Sequence, residues 1–339
     1  MENIHRKYSK SFDISALDRD DLWKAAVAEK QKRLAEAILE KDLMLISQCP
    51  ICQHSKSSEL CKVYGYLYIE CGSCGHIFIE NSPNTSTIKN LYSESKGASK
   101  SIQSDIYINE KLFLRRIEMI ANPKVNFVNE CLDLKGKWID VGCGVGEILV
   151  AAKNAGWNVL GIEGDSMQVE FAQRHGIAVE KKYVDENMPS RIFEDADIIS
   201  FFNIVEHIAD PFTFLSTITS KLYSGSHVVI EVPRHPSLSS LSIMSYPNLA
   251  SRHIYPPDHL HVFTEKSLEK LLLSCELHPK HIWLFGQDYY EVITSLAHSS
   301  SLKTNSELFK TFANNANYIQ AAIDKSGLSD SMIVLSKKI

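Results

Sequence analysis

The chain has 339 residues, 44% hydrophobic and 23% charged, with 36 lysine and arginine residues against 41 aspartate and glutamate, a net charge of −5. That length holds one large core plus a smaller module, and the mild acidity leaves no basic footprint, so nucleic acid is not an expected partner. There is no apolar run of roughly eighteen residues, and Met1 to Lys10 is polar rather than signal-like. A cytoplasmic protein without a membrane span is expected.

Taken in chain order, Asp18 to Leu45 reads as an amphipathic helix or two, with Leu22, Ala25, Ala26, Leu34, Ile38 and Leu43 roughly at helical spacing. Such a face packs on the core or on a second copy, so a homodimer is one expected arrangement. Next come Cys49-Pro50-Ile51-Cys52 and Cys71-Gly72-Ser73-Cys74, two C-x2-C pairs separated by eighteen residues. Each pair can bend around one tetrahedral ion, and the residues between them, Cys61 to Ile69, are β-rich. Two knuckles joined by short strands describe a zinc ribbon over 47–80, with Cys49, Cys52, Cys71 and Cys74 as ligands of a structural Zn2+. Four thiolates close the coordination sphere and leave no open position for a substrate. Redox-active pairs are the competing reading, but the thioredoxin-like helical context they require is missing. Asn81 to Ser104 reads as linker, with a short helix starting near Leu91-Tyr92, and Asn109 to Cys131 as a lead-in helix.

The densest signal is Trp138-Ile139-Asp140-Val141-Gly142-Cys143-Gly144-Val145-Gly146-Glu147, a buried strand ending in an acid, a glycine turn and a helix start. The glycines let the backbone turn tightly and let a ligand approach closely. A dinucleotide fingerprint has the spacing G-x-G-x-x-G. Here the spacing is G-x-G-x-G, and Glu147 stands where the last glycine would be, so its carboxylate would repel a pyrophosphate. Asp140 suits an ammonium group. A second strand ends in Glu163-Gly164, about 20 positions on, where an acid grips ribose hydroxyls in doubly wound folds. S-adenosylmethionine, with an ammonium, a sulfonium and no phosphate, fits both acids.

Strands are expected near 138–141, 159–162, 178–179, 198–202, 227–232, 282–285 and 331–335, with helices between most of them. That alternation implies an α/β, Rossmann-like, doubly wound sheet of seven strands, preceded by the ribbon and the N-terminal helix. The expected division is 1–46 helical segment, 47–80 ribbon, 81–134 linker and lead-in helix, and 135–339 core.

With Asp140, the glycine loop and Glu163, the chain resembles the class I S-adenosylmethionine-dependent methyltransferases. Asp197-Ile198-Ile199-Ser200-Phe201-Phe202-Asn203-Ile204-Val205-Glu206-His207-Ile208-Ala209-Asp210-Pro211 is similar to that family's fourth-strand motif. Pro257-Asp258-His259-Leu260-His261-Val262-Phe263-Thr264-Glu265-Lys266-Ser267-Leu268 is similar to a segment of one large subgroup. The ribbon precedes the core in many proteins of that subgroup, deoxysugar C-methyltransferases among them. The resemblance spans about Lys135 to Ile339 and implies an antiparallel last strand and a small-molecule acceptor, most readily a nucleotide-linked or glycan sugar.

Ligands of open α/β sheets bind beyond the carboxyl ends of the strands. Asp140, Gly142, Cys143, Gly144 and Gly146 are therefore assigned to the methionine end of the cofactor, Glu163 and Gly164 to the ribose, Tyr183 to Asp185 to the adenine, and Asn203 to the sulfonium. A sugar hydroxyl needs a base. The candidates are His207, His259 and His261, with Glu206 and Glu231 behind them; His207 could equally be a helix cap. His235 and His253 read as loop or surface residues. Alternatives stay open: a quinone- or lipid-type acceptor, an RNA 2′-hydroxyl oriented by a divalent ion on Glu206, His207 and a later histidine, or a catalytically idle cofactor-binding scaffold. Asn203 stands where metal-using relatives carry a glutamate, which argues against the ion.

Overall fold

A computed structural model of the chain describes every residue except 2–3, 12–22, 40–42, 88–107, 184–191, 246, 248–252, 301 and 304. The chain starts with strand β1 (His5–Tyr8), helix α1 (Trp23–Leu39) and strand β2 (Leu43–Leu45). The ribbon strands are β3 (Ser57–Val63), β4 (Tyr66–Cys71) and β5 (Ile77–Ile79), followed by β6 (Asn81–Pro83). Helix α2 (Glu110–Arg116) passes through one π-helical turn, Ile117–Ala121, into α3 (Asn122–Cys131). The core then alternates: β7 (Lys137–Val141), α4 (Glu147–Asn154), β8 (Asn158–Glu163), α5 (Ser166–Arg174), β9 (Val179–Lys181) and β10 (Ile198–Phe202). It continues with α6 (Pro211–Thr219), β11 (His227–Pro233), α7 (Leu238–Ile243), β12 (His261–Val262) and α8 (Glu265–Ser274). The remainder is β13 (Leu277–Phe285), α9 (Asp288–Ser300), α10 (Glu307–Asn314), α11 (Ala316–Lys325) and β14 (Ser331–Lys338).

The main sheet has the order β1-β13-β14-β11-β10-β7-β8-β9. Its pairings are parallel except at β14, which runs antiparallel to both β11 and β13. The α/β doubly wound architecture with an antiparallel last strand is thus present. Central strands are apolar on both faces because both faces are covered. Ile139, Val141, Ile199, Phe201, Val228 and Ile230 pack on one side with Phe214 and Leu215 of α6 and Leu268 and Leu271 of α8. Trp138, Ile198, Val229 and Trp283 pack on the other with Val125 and Val128 of α3 and Ala151 of α4.

Two features differ from the expectations drawn from sequence. The sheet has eight strands, not seven, because His5–Tyr8 pairs in parallel with β13, His5 opposite His281 and Tyr8 opposite Leu284. This is an edge strand of mostly exposed polar residues, the kind that carries no alternating apolar signal. It is secured at Ser9, whose amide donates to Leu284 at 2.8 Å and whose carbonyl accepts from Trp283 Nε1 at 2.8 Å. The expected helix over Asp18 to Leu45 ends at Leu39, and Leu43–Leu45 instead pairs antiparallel with Asn81–Pro83. Leu91-Tyr92 lies outside the described residues.

The ribbon is not a separate bead. Its sheet has the order β12-β5-β4-β3, so a strand from the core segment completes it, His261 opposite Phe78 and Val262 opposite Ile77. Tyr66, Tyr68, Ile77 and Ile79 share one apolar cluster with Ile38 of α1 and Leu260 and Val262 of the core. Among the described residues, no helix is long and apolar enough to cross a membrane.

Candidate functional site

The first strand tip carries a chain of donors. Trp138 Nε1 donates to Ser200 Oγ at 2.8 Å, and Ser200 Oγ donates to Asp140 Oδ1 at 2.6 Å. Asp140 is buried, and burial pushes its carboxyl up to about 7 against the lowering effect of the Ser200 bond, with Glu147 and Glu163 adding repulsion. Ser200 is the lone polar residue of β10, which is the signal that could have marked it in sequence.

Beyond Asp140 the loop turns on Gly142, Gly144 and Gly146, all with positive φ. The amides of Gly142 and Cys143 both donate to the Ile162 carbonyl, at 2.8 and 3.1 Å, folding the loop over the end of β8. A Cβ on Gly142 would stand 2.1 Å from Ile204 Cδ1, so the glycine is required by close approach as well as by conformation. Cys143 contributes backbone to this loop, but its side chain packs with Leu149, Val169 and Ala172, and burial holds its thiol well above the usual range.

Glu163 ends β8 with its carboxylate held by three amides, Gly144 to Oε2 at 2.9 Å, and Gly164 and Asp165 to Oε1 at 2.7 and 2.9 Å. The two acidic tips and the glycine loop are therefore one hydrogen-bonded unit. Burial raises the Glu163 carboxyl and these amides lower it. Glu147 is not a loose charge at the loop: Arg116 pairs with its Oε1, at 2.6 Å from Nη2 and 2.7 Å from Nε. The repulsion assigned to Glu147 from sequence is thus largely neutralised. Asp185 lies outside the described residues; Tyr183 is close to Gly164, its Cα 3.5 Å from where a Gly164 Cβ would be.

On the other side of β7, strand β10 leads to Asn203, in the left-handed region at φ 56, with its amide donating to the Glu231 carbonyl at 3.0 Å. A short 3₁₀ turn, Val205–His207, follows. Glu206 is fully buried and, among the described residues, neither carboxylate oxygen has a hydrogen-bond partner, so burial first, then Glu231, lifts its carboxyl far above the usual range. His207 Nδ1 lies 2.7 Å from the Asp258 carbonyl, and burial drives its pKa down to about 4 while carbonyls of Asp258 and Asn203 favour the proton. His259 sits edge-on to His207 at 4.8 Å between ring centroids, with its Nδ1 2.9 Å from the His253 carbonyl. One ligand atom from each of Glu206, His207 and His259 falls within 4.8 Å of the others.

Three assignments made from the residues alone need correction in physical terms. His261 has both ring nitrogens committed, Nε2 to the Ile208 carbonyl at 2.9 Å and Nδ1 to His76 Nε2 at 3.1 Å, so it braces the turn and has no lone pair to offer an acceptor. Glu231 is not a reserve base: its carboxylate forms a buried ion pair with Lys124 of α3. Lys124 escaped notice in the sequence because a lone cation among Val125, Phe127 and Val128 looks like a surface residue of an amphipathic helix. His235 and His253 do lie in loops but are buried rather than at the surface, with His235 Nδ1 2.9 Å from Ser240 Oγ and His253 Nε2 3.4 Å from Asp330 Oδ1.

The four ribbon cysteines form the second candidate site. Their sulfurs all lie within 4.8 Å of one another, with Cys49 and Cys74 at 3.6 Å and Cys52 and Cys71 at 3.5 Å. A tetrahedral zinc with Zn–S bonds of about 2.3 Å needs sulfurs about 3.8 Å apart, so this set fits. The two knuckles are built alike. Gln53 and Gly75, each following a second cysteine, have positive φ and donate back to Cys49 and Cys71 at 2.8 and 2.9 Å. The amides of Cys49 and Cys71 in turn donate to His54 and His76 at 3.0 and 2.9 Å. Only the second turn has the glycine that would reveal this in sequence.

Residues 113–278 match the family described as a methyltransferase domain. The chain is similar to the ubiquinone biosynthesis O-methyltransferase of Pseudomonas fluorescens, 28% identical over 131 residues, which are 36% of this chain and 56% of that protein. It is also similar to the enzyme of that description from Pseudomonas savastanoi pv. phaseolicola, 30% identical over 123 residues, 34% of this chain and 53% of that one. The chain spans about half the length of the curated relatives it matches. A solved S-adenosylmethionine-dependent methyltransferase from Archaeoglobus fulgidus superposes with a TM-score of 0.44 at 18% identity, over 68% of this chain and all of that one.

The glycine contacts carry a stability prediction. Gly142→Ala is expected to cost about 1–3 kcal/mol, because the new Cβ must displace Ile204 and hold a positive φ. Thermal unfolding checks it; an unchanged midpoint would contradict the close approach of loop and turn.

Proposed function

We infer that a chain with this domain and these strand tips is an S-adenosylmethionine-dependent methyltransferase. We further propose that its acceptor is a small molecule of sugar type, methylated at a hydroxyl or a carbon. The observation that carries the reading is the convergence of Asp140, the glycine loop, Glu163 and the Glu206–His207 turn at the carboxyl ends of neighbouring strands. Buried acids on either side of a loop too tight for side chains suit a ligand with an ammonium, a sulfonium and no phosphate. Asp140 and the backbone of Gly142, Cys143, Gly144 and Gly146 would hold the methionine end, and Glu163 with Gly164 the ribose. Asn203 would flank the sulfonium. When bound, the cofactor supplies an electrophilic methyl group.

The chain itself must orient the acceptor and hold its proton. A carbonyl only accepts, so the contact with Asp258 places a proton of His207 on Nδ1, and the Asn203 carbonyl also favours the protonated ring. Burial keeps that ring neutral at pH 7, as a base must be before it takes a proton, and Glu206 Oε1, itself held toward its neutral form, lies 4.0 Å from Nε2. His259, edge-on to His207, borders the same space. The sugar assignment rests on the ribbon-plus-core arrangement, which sets the ribbon sheet against the turn. The ribbon cysteines would hold one structural zinc, which cross-links two knuckles and does no chemistry.

A second reading has specific support. The relatives are named for ubiquinone biosynthesis, and Glu206, His207 and His259 converge closely enough for a divalent ion that would orient the oxygens of a quinone-type acceptor.

Three measurements test these roles. Affinity for S-adenosylmethionine is expected to be full above pH 7 and to fall as pH drops through about 7, because Asp140 must ionise to meet an ammonium group. Ser200→Ala removes the bond that lowers the Asp140 pKa, so it should move that midpoint to higher pH. Calorimetry giving a flat affinity from roughly pH 5.5 to 8.5 would contradict the assignment. His207→Ala should lower methyl transfer by about 10²- to 10⁴-fold with cofactor affinity unchanged, as for a lost general base; equal rates would remove it from the chemistry. Elemental analysis should find one zinc per chain, lost with cooperative unfolding of the ribbon in Cys71→Ser. A metal-free native protein with an identical thermal transition would refute the zinc.

A further inference from the structure

The turn that carries Glu206 and His207 is tied to one segment, 258–261, by three hydrogen bonds. The Leu260 amide donates to the Glu206 carbonyl at 2.9 Å, His207 meets the Asp258 carbonyl at 2.7 Å, and His261 Nε2 meets the Ile208 carbonyl at 2.9 Å. That segment is itself held by the ribbon. The Ile79 amide donates to the Leu260 carbonyl at 3.0 Å, Tyr68 Oη donates to the His259 carbonyl at 2.8 Å, and β12 pairs with β5.

Within this joint lies a pair of buried histidines whose hydrogen-bond directions can be worked out. The Ile208 carbonyl can only accept, so His261 carries its proton on Nε2. A neutral imidazole with its proton on Nε2 has its lone pair on Nδ1, so Nδ1 is an acceptor. His76 Nε2, 3.1 Å away, must then be the donor. His76 Nδ1 is left with the lone pair, 3.3 Å from Ser267 Oγ of the α8 capping box, whose hydroxyl proton also faces the Thr264 carbonyl at 3.1 Å. The backbone of His76 belongs to the second knuckle, since its carbonyl takes the amide proton of Cys71. Both rings are at most 3% exposed, and His76 lies against Phe78 and Phe263. Packing alone would be met by an apolar side chain at less desolvation cost. A directional bond explains why two imidazoles stand there instead.

We propose that His76 is a positioning residue of the reaction, which through His261 and the Ile208 carbonyl sets the Glu206–His207 turn and so couples the state of the cysteine knuckle to methyl transfer. This rests on the reading of Glu206–His207 as the reacting turn. It gives the ribbon a function beyond bracing, since one donor at the second knuckle reaches the turn through a single imidazole.

The test compares His76→Gln with His76→Phe in the full-length, metal-replete protein. Glutamine keeps a donor for His261 and an acceptor for Ser267, whereas phenylalanine keeps only the ring. The probes are zinc content, S-adenosylmethionine affinity, amide exchange over residues 205–208, the ¹⁵N resonances of the imidazoles, and transfer of labelled methyl into cell extract. In both variants zinc content and cofactor affinity should match the parent protein. His76→Phe should lose roughly tenfold or more in transfer rate at saturating cofactor. It should also speed exchange at 205–208 and move His261 Nδ1 to the shift of an unbonded acceptor. His76→Gln should restore the rate to within about threefold. A Phe variant with parental rate and exchange, or a Gln variant as impaired as the Phe variant, would overturn the proposal. So would parental protein with the His261 proton on Nδ1, a measurement that stands even if His76→Phe fails to fold. Absence of label transfer in the parent protein would defeat the catalytic reading, while exchange and ¹⁵N shifts would still decide the coupling.

Discussion

Four carboxyl groups gather at the ends of four adjacent parallel strands: Glu163 on β8, Asp140 on β7, Glu206 just past β10 and Glu231 on β11. Asp140, Glu206 and Glu231 are almost fully buried, and the cation that enters the group is Lys124, paired with Glu231. Burying like charges together is unfavourable, and the remedies are visible in each case. Ser200 donates to Asp140, three amides hold Glu163, and Glu206, with no hydrogen-bond partner among the described residues, is driven toward its neutral form. An arrangement of this kind is strained in favour of a positively charged ligand. A sulfonium-bearing, ammonium-bearing cofactor would relieve the same repulsion that the isolated chain can only screen.

The rest of the fold keeps those tips in place. Parallel strands with apolar residues on both faces give β7, β10 and β11 little freedom, and α3 contributes both its apolar face and the Lys124 ammonium. The ribbon reaches the same region from outside, through a shared sheet and through the segment 258–261. The conventional division into ribbon and core therefore describes the order along the chain better than the contacts. Both the acid cluster and the histidine cluster depend on segments far apart in sequence.

Much of this was legible in the residues themselves. The glycine loop between Asp140 and Glu147 marked the first strand tip because positive φ and close approach both call for glycine, and the paired cysteines marked the knuckles because tetrahedral binding constrains their spacing. The buried strands announced themselves by uninterrupted apolar runs. What escaped was whatever depends on distant partners. His5–Tyr8 is polar and becomes a strand only because the β13 edge accepts it. Lys124, Ser200 and His76 look ordinary until Glu231, Asp140 and His261 are brought beside them. Histidines were the hardest to read, since sequence position alone did not separate His207, near the space for an acceptor, from His261, committed at both nitrogens.

The central claim is that these strand tips move a methyl group onto a small molecule. Its most direct test is to incubate the purified protein with methyl-labelled S-adenosylmethionine and an extract of its source cells, then to separate small molecules, glycans and lipids, protein and RNA. The account predicts label in nucleotide sugars or glycans, and label in a quinone-type fraction would select the second acceptor class. Label confined to RNA or protein, or no label despite tight binding of the cofactor, would contradict it.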